Sequence, residues 1–221
     1  MARYRNLADL PAVIPVFPLA GALLLPRGAL PLNIFEPRYL AMIDAAMAGS
    51  RIVGMIQPRN PADANVSPML AEVGCAGRIT SYAETDDGRY LITLNGIARF
   101  RIVEEREAAT PFRQVVADYT PFSCDLRPRE SEPVIARERL IEALKPYLAV
   151  RSMQTDWQSV KDAPAEMLVN ALAAICPFAP AEKQALLEAP GVPERAEMII
   201  ALIEMANATA ARPTGGGHPI N

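Results

Sequence analysis

The fold is decided by one stretch of the chain, AGRITSYAETDDGRYLITLNG, residues 76–96. Two runs rich in β-branched and aromatic residues flank the sequence Asp86-Asp87-Gly88. An Asp-Gly pair supplies the positive φ angles that a tight turn needs, so the stretch predicts two antiparallel strands that meet at Gly88. The paired carboxylates of Asp86 and Asp87 are explained more simply by a hairpin tip than by a metal site.

Further short strands are predicted on both sides of this hairpin. Each run is rich in apolar or β-branched residues and is bounded by Pro, Gly or polar residues, as strands usually are. The runs span residues 13–17, 30–35, 52–57, 97–103 and 114–119. Six or so short strands with one early helix indicate a small closed or half-closed barrel, because closure removes exposed strand edges.

The composition changes near residue 120, after which longer Ala-, Leu- and Glu-rich stretches show helical spacing. Helices this short need to bury their apolar stripes against one another, which predicts a bundle. Pro146 is expected to kink or end the first of them. The four predicted helices span residues 131–150, 167–175, 181–189 and 194–210.

The sequence therefore predicts an α+β protein in four segments. A β-barrel lobe spans 1–120, and a polar, proline-bearing linker follows at 121–133. A helical-bundle lobe spans 134–210, and the tail 211–221 is predicted to be disordered because it has nothing to bury.

The bulk composition favours a globular protein without an electrostatic signature for nucleic acid. The chain has 221 residues, 51% of them apolar, and a formal net charge of −3. Cys75, Cys124 and Cys176 have no C-x-x-C spacing, which favours the reduced thiols of a cytoplasmic protein over a disulfide framework. Prolines break the apolar run near the N-terminus, so we expect neither a signal peptide nor a membrane span.

Residues 32–47, LNIFEPRYLAMIDAAM, raise the question of whether the chain is an enzyme. Glu36, Arg38 and Tyr39 could gather an acid, an anion clamp and a hydroxyl for catalysis. Alternatively, Glu36 lies beside the positive end of a helix dipole, the proline after it fits the first turn, and Gly49 takes the left-handed cap. The helix explains every residue of the stretch, so we favour it over an active site.

Two blocks of the chain carry a more specific pattern. The first is VIPVFPLAGALLLPRGALPLNIFEPRYLAMIDAAM, residues 13–47. The second is EVGCAGRITSYAETDDGRYLITLNGIARFRI, residues 72–102. In this order the two blocks resemble the N-terminal domain of Lon protease (protease La), and the resemblance extends over roughly residues 11–207. The matching positions in the second block are Gly74, Gly88, Gly96, Arg99 and Phe100.

The resemblance implies a PUA-like β-barrel with one embedded helix, followed by an all-α helical lobe. It also implies non-catalytic recognition of unfolded or misfolded polypeptides, with a separate protease or ATPase as a conceivable partner. Full Lon proteases continue into ATPase and protease modules. The sequence has no G-x-x-x-x-G-K-[ST] phosphate loop and no stretch that matches the Ser-Lys protease module. We therefore expect no enzymatic activity, no cofactor and no metal.

The peptide-binding residues are predicted from the apolar loop 18–31 and the helix that follows it. Recognition of exposed apolar segments needs an uncovered groove or an edge strand. Large apolar residues usually lie inside a protein, so filling of the barrel core stays open as the alternative. The predicted peptide-binding residues are Phe17, Leu19, Leu23, Leu24, Leu25, Phe35, Tyr39 and Met42.

Other side chains that could carry chemistry have simpler explanations. His218 is the sole histidine and lies in the predicted tail, which argues against a Ser-His or Cys-His base and most zinc sites. Lys145, Lys161 and Lys183 are expected to be solvated on helical surfaces. Arg99 is expected to form a buried or half-buried pair that fixes a strand.

Two other functions stay open. A docking subunit that recruits a separate protease or another assembly is the stronger of them. Several arginines between residues 99 and 113 leave a PUA-like nucleic-acid binder as the weaker one. Against it stand interspersed glutamates, few nearby aromatic residues for base stacking and the acidic net charge.

Overall fold

The computed structural model describes residues 4–60, 68–107, 109–128 and 131–210. The predicted disordered tail 211–221, with His218, lies outside the described residues.

The chain forms two compact units, of which the first contains the sheet. It takes in 1–130 together with 173–188, and the second unit takes in 131–172 and 189–221. All of 134–210 was predicted to form one helical lobe, whereas 173–188 lie with the sheet. The division of the chain into four functional segments remains a prediction.

In the described part of the sheet unit there are six strands, two helices and two short 3-10 segments. Every run predicted as strand is in a strand, with boundaries that shift by a few residues, but the second hairpin run and the run 97–103 form one continuous strand. The strands are β1 (Val13–Pro18), β2 (Ala29–Ile34), β3 (Ile52–Ile56), β4 (Val73–Glu84), β5 (Tyr90–Arg106) and β6 (Gln114–Asp118). The helices are α1 (Pro37–Ala48) and α5 (Pro180–Glu188), and the 3-10 segments are Leu7–Asp9 and Thr120–Leu126.

The predicted hairpin joins β4 to β5. The N–H of Thr85 donates to the carbonyl of Arg89 at 2.9 Å, and Gly88 adopts a φ of 79°. Only glycine reaches this left-handed conformation without a steric penalty. The Asp-Gly turn is therefore confirmed.

The sheet closes on itself through β5. The strand order is β2-β5-β4-β3-β1-β6, and β5 also pairs with β6. The first half of β5 pairs with β2 and β4, and its second half pairs with β4 and β6. The α+β fold with a small barrel is thus confirmed. Among the described residues, β2 is left with one neighbouring strand.

Phe100 fills the centre of the barrel core, where its side chain is fully buried beside Ile14 and Val115. Its ring lies against one glycine of β4 and one glycine of β3. A Cβ added at Gly74 would lie 2.6 Å from Phe100 Cζ, and one at Gly54 would lie 2.9 Å from the same atom. The large ring and the two glycines therefore depend on one another.

Helix α1 lies where residues 32–47 were interpreted as containing the start of a helix. Pro37 occupies the first turn, and Glu36 precedes it as the N-cap residue, its carboxylate 2.8 Å from Nη2 of Arg38. The predicted left-handed cap at Gly49 is wrong, because its φ is −116°. The chain reverses instead at Arg51, which has a φ of 60° and donates its N–H to Ala46.

The remaining helices are α2 (Arg137–Val150), α3 (Trp157–Asp162), α4 (Ala165–Ile175) and α6 (Val192–Ala210). Helix α2 begins six residues after the predicted start, and it continues through Pro146 to Val150, so the proline does not end it. Helix α3 was not predicted. Its start is marked by Asp156, whose carboxylate accepts the N–H of Gln158, which is an ordinary N-cap.

Within the second unit, α2 packs against α6. The Arg139 guanidinium of α2 spans two carboxylates of α6, at 3.1 Å from Glu197 and 3.0 Å from Glu204. These groups are about half exposed, so the pairs contribute little to stability.

The predicted buried pair of Arg99 is confirmed, and its partner is Asp125. The guanidinium of Arg99, with 3% of its side chain exposed, donates to both carboxylate oxygens of Asp125 at 2.9 Å. The same carboxylate accepts the N–H of Arg99 at 3.0 Å. Asp125 lies in the 3-10 segment that occupies part of the predicted linker, so this segment is anchored to the barrel.

Replacement of Asp125 by Ala should lower the free energy of unfolding by about 3–5 kcal/mol, because it leaves the Arg99 guanidinium buried without its counter-ion. Urea denaturation followed by circular dichroism measures the change. Glu204→Ala, which removes a half-exposed carboxylate, is the control and should cost less than about 1 kcal/mol. Similar losses in the two variants would contradict the role given to the buried pair.

Candidate functional site

Most of the predicted peptide-binding residues belong to the core of the protein. Six of the eight side chains are almost inaccessible to solvent, so a ligand could contact only Phe35 and Leu19 of this set in the present conformation. The buried six are Phe17, Leu23, Leu24, Leu25, Tyr39 and Met42.

The apolar loop and α1 are held by packing among these side chains. The rings of Phe17 and Tyr39 stack with their centroids 4.2 Å apart, and burial raises the pKa of the Tyr39 phenol. Leu24 packs directly against Gly77, because a Cβ added at Gly77 would lie only 2.6 Å from Cδ2 of Leu24. The six buried residues therefore fill the core, which is the alternative that the sequence left open.

Phe35 is the exception, with 62% of its surface exposed. It directly follows β2, and the guanidinium of Arg89 lies 5.9 Å from the centroid of its ring. A large aromatic side chain at this exposure can contribute to binding because its burial removes apolar surface from water.

Phe35 borders an exposed face formed by β2, the first half of β5 and the end of β4. Leu30, Leu32 and Ile34 of β2 pair with Leu94, Ile92 and Tyr90 of β5, and these residues share the inward face. The residues between them point the other way, because successive side chains of a strand alternate. We call this surface the outer sheet face. It consists of Ala29, Pro31, Asn33, Leu91, Thr93, Asn95, Ser81 and Ala83.

The eight residues of the outer sheet face are uncharged, and Arg78 of β4 lies at its border, opposite Asn95 in the strand register. All eight are exposed except Thr93, which is half-buried, and Leu91 has 46% of its surface accessible. Covering such a surface costs less hydration energy than covering charged groups, and its Asn, Ser and Thr side chains can hydrogen-bond to a polypeptide. It is therefore suited to contact with uncharged polypeptide.

The same surface ends in an open strand edge. Within the described residues β2 pairs only with β5, so the backbone groups on its other side are available for hydrogen bonding. Pro31 lies in the middle of this strand and has no N–H, which is typical of edge strands and reduces uncontrolled pairing.

No group of metal-ligating side chains is found among the described residues. In the described part of the chain, no helix is both long enough and apolar enough to cross a membrane.

Comparison with known proteins gives the family. Residues 13–205 match the model of the ATP-dependent protease La (LON) substrate-binding domain. The chain belongs to this family.

Curated relatives of the Lon substrate-binding domain family agree with the match. Lon protease 2 of Sorangium cellulosum is 28% identical over 86% of this chain, and Lon protease of Syntrophus aciditrophicus is 26% identical over 88%. These alignments cover 24% and 25% of the relatives. The chain thus spans about a quarter of their length.

Solved structures show the same fold. The Lon N-terminal domain protein from Xanthomonas campestris aligns with a TM-score of 0.58 and 21% identity, over 86% of this chain and 97% of that one. The N-terminal domain of Mycobacterium avium complex Lon protease aligns with a TM-score of 0.60 and 19% identity, over the same shares.

The predicted solvation of three lysines is confirmed for Lys145 and Lys161 and wrong for Lys183. Lys183, of α5, is 8% exposed. Its ammonium donates to the carbonyl of Gly21 at 2.9 Å and to that of Ala174 at 3.0 Å. Burial lowers the pKa of Lys183, and the nearby Cys176 offsets part of this effect. In this member of the Lon substrate-binding domain family, Lys183 therefore anchors the apolar loop.

The buried Lys183 predicts a pH dependence of stability. Its pKa is lower in the folded chain than the ordinary 10.5, so between the two values the unfolded chain binds more protons and stability rises with pH. The unfolding free energy of the wild type relative to Lys183→Met should therefore increase as the pH is raised from neutral towards 10.5. Urea melts at several pH values measure it. Lys145→Met controls for the loss of a surface charge, and a flat difference for Lys183→Met would contradict the desolvation of Lys183.

Proposed function

We propose that the chain is a non-catalytic recognition module that binds extended, uncharged segments of unfolded or misfolded polypeptides. The outer sheet face and the open edge of β2 form the binding surface. The observation that carries the proposal is the combination of an uncharged exposed face with a strand that has one neighbour. Membership of a substrate-binding domain family supports it.

An open edge suits an unfolded ligand because main-chain hydrogen bonds do not depend on sequence. A polypeptide added beside β2 would place every second side chain on the side of the outer sheet face. Phe35 and Leu91 would then contact apolar side chains of the ligand. Folded proteins have already paired such segments internally, so selectivity for unfolded chains follows from the type of contact.

The affinity is expected to be modest. Pro31 removes one donor from the edge, and β2 is only six residues long. An extended ligand also loses conformational entropy when it is ordered. Modest affinity fits a module that must release its ligand, and the same features limit pairing between copies of the chain.

The chemistry of the three cysteines agrees with function in the cytoplasm, which is part of this proposal. Cys75 and Cys176 are buried and Cys124 is exposed, and none of the three forms a disulfide with a described residue. An exposed free thiol is compatible with a reducing compartment.

The alternative of a docking subunit differs in its ligand, a folded partner such as a separate protease or ATPase. The alternative of nucleic-acid binding loses support because two of the arginines that suggested it are hydrogen-bonded to carboxylates and a third lies near one. Arg99 pairs with Asp125, Arg113 with Glu105, and Arg101 lies 3.7 Å from Glu72.

Replacement of both Phe35 and Leu91 by Ser should weaken binding of an unfolded polypeptide about tenfold or more. Each truncation removes roughly 1 kcal/mol of apolar burial at these partly exposed positions. The measurement is fluorescence anisotropy with a labelled, uncharged, permanently unfolded polypeptide that contains Leu, Val and Phe and has an amidated C-terminus. Binding by the wild type should survive high salt, because no charge takes part.

The matched control is Val150→Ser with Met205→Ser, which removes two exposed apolar side chains of the second unit. It should bind like the wild type. Absence of binding by the wild type at both low and high salt would sink the proposal and leave the docking subunit, whose partner could then be sought by affinity capture.

Asn33→Lys tests the role of the open edge separately from apolar contact. A lysine on an exposed strand is a natural block to the addition of another strand. The variant should bind the same polypeptide several-fold more weakly, with an unchanged urea midpoint. Ala45→Lys, at an exposed position of α1, is the control because it adds the same charge elsewhere in this unit. Unchanged binding by Asn33→Lys would restrict the site to the face and exclude strand addition.

A further inference from the structure

A second candidate site lies in the sheet unit, away from the outer sheet face. It is a cavity of about 430 Å³ between the start of β4, the chain after β3 and the first turns of α5. Its floor is apolar and is formed by small side chains. These are Pro58, Ala71, Val73, Pro180 and Ala181.

One wall of the cavity is a network of amide groups. Gln57, only 3% exposed, donates to the carbonyl of Pro180 at 3.0 Å and to Oε1 of Gln184 at 3.3 Å. Gln184 in turn donates to the carbonyl of Val73 at 3.0 Å and to Glu188 at 2.7 Å. Because these partners lie within the protein, the wall is in place before a ligand arrives.

The rim carries two arginines whose guanidinium groups are not hydrogen-bonded to a carboxylate of the described residues. The side chain of Arg59 is exposed and makes no hydrogen bond or ion pair with any described residue. Arg101 is 52% exposed, lies 3.7 Å from Glu72, beyond hydrogen-bond length, and has Asp118 opposite it on β6. Arg59 is therefore the principal anion-binding group, and Arg101 is secondary.

Two carboxylates, Glu72 and Glu188, also lie at this cavity. A simple anion such as phosphate would be repelled by them. A ligand that carries one carboxylate together with N–H donors would be matched by the arginines and the carboxylates at once.

We infer that this cavity binds the C-terminal residue of a polypeptide, with a small aliphatic side chain on the apolar floor and the terminal carboxylate at Arg59. The C-terminal residue is the one place in a polypeptide where a carboxylate lies next to both an apolar side chain and a peptide N–H. An internal Asp or Glu carries its carboxylate on the side chain, so it has no apolar side chain to place on the floor of the cavity. The inference rests on the proposed function and adds a class of substrate to it.

The test uses N-terminally labelled Gly/Ser peptides of ten residues and fluorescence anisotropy. One peptide ends in Ala-Val with a free carboxylate, a second is its amide, and a third is the amide with an internal Glu. The free acid should bind about threefold to fivefold more tightly than either amide, as expected for one exposed ion pair. This difference should shrink at high salt. Equal binding of acid and amide, or recovery of binding with the internal Glu, would overturn the inference.

Arg59→Gln should remove the preference for the free acid, whereas Arg89→Gln, at the hairpin turn, should leave it intact. Ala181→Trp, at an exposed position of α5, should fill the cavity and abolish binding of the acid with both rim arginines present. Persistence of the acid preference in Arg59→Gln would overturn the inference. Competition by free valine as strong as that of the peptide would also overturn it, in favour of a small-molecule site.

The outcomes separate this inference from the proposed function. The amidated unfolded polypeptide reports the outer sheet face alone, and Arg59→Gln should bind it normally. Replacement of Phe35 and Leu91 by Ser should leave the preference of the protein for the free-acid peptide over its amide unchanged. A C-terminal effect without binding of the amidated polypeptide would overturn the proposed function and support a site restricted to chain ends.

Discussion

Arg99 and Asp125 are both nearly inaccessible to solvent, and their side chains meet in two hydrogen bonds of 2.9 Å. A third contact runs from Nη1 of Arg99 to the carbonyl of Leu187, at 3.2 Å. Arg99 belongs to β5, Asp125 to the segment after β6, and Leu187 to α5. Burial of a guanidinium is costly unless its partners are all present. One side chain therefore links three parts of the sheet unit that are distant in sequence.

This constraint explains why α5 lies with the sheet, although the chain before residue 173 and after residue 188 belongs to the other unit. Gln184 and Lys183 of the same helix also reach β4 and the apolar loop, at Val73 and Gly21. Polar groups buried in this way must all be satisfied together, and a shifted helix would leave several of them without partners. The cavity beside α5 is fixed by the same contacts that fix the helix.

The sequence was sufficient for most of the elements but not for the surface. The hairpin at Gly88 and the helix that starts at Pro37 follow from local rules, since an Asp-Gly pair and a first-turn proline act within a few residues. Whether Leu24 or Leu91 is exposed depends instead on which strands become neighbours. Period-2 alternation marks Leu91 as facing away from Ile92, but only the sheet order shows that nothing among the described residues covers it.

Lys183 is a second case in which local sequence does not determine whether a side chain is exposed or buried. A lysine in a short helix without a clear apolar stripe is ordinarily solvated, and the carbonyls that accept its protons come from Gly21 and Ala174. No local pattern in α5 encodes them. Arg99 could be foreseen because a matched motif singled it out, whereas its partner Asp125 lay in a segment that the composition marked as linker.

The long strand β5 places the two candidate sites on one rigid element. Leu91 lies in its first half, and Arg101 lies at the cavity in its second half. At about 3.3 Å per residue, the strand separates these positions by at most about 33 Å, and less because it curves around the barrel. A polypeptide bound at its C-terminus needs only about ten extended residues to reach the outer sheet face. Two weak contacts on one ligand raise the effective concentration of the second, so unfolded chains that end in a small apolar residue would be held more tightly than either site alone allows.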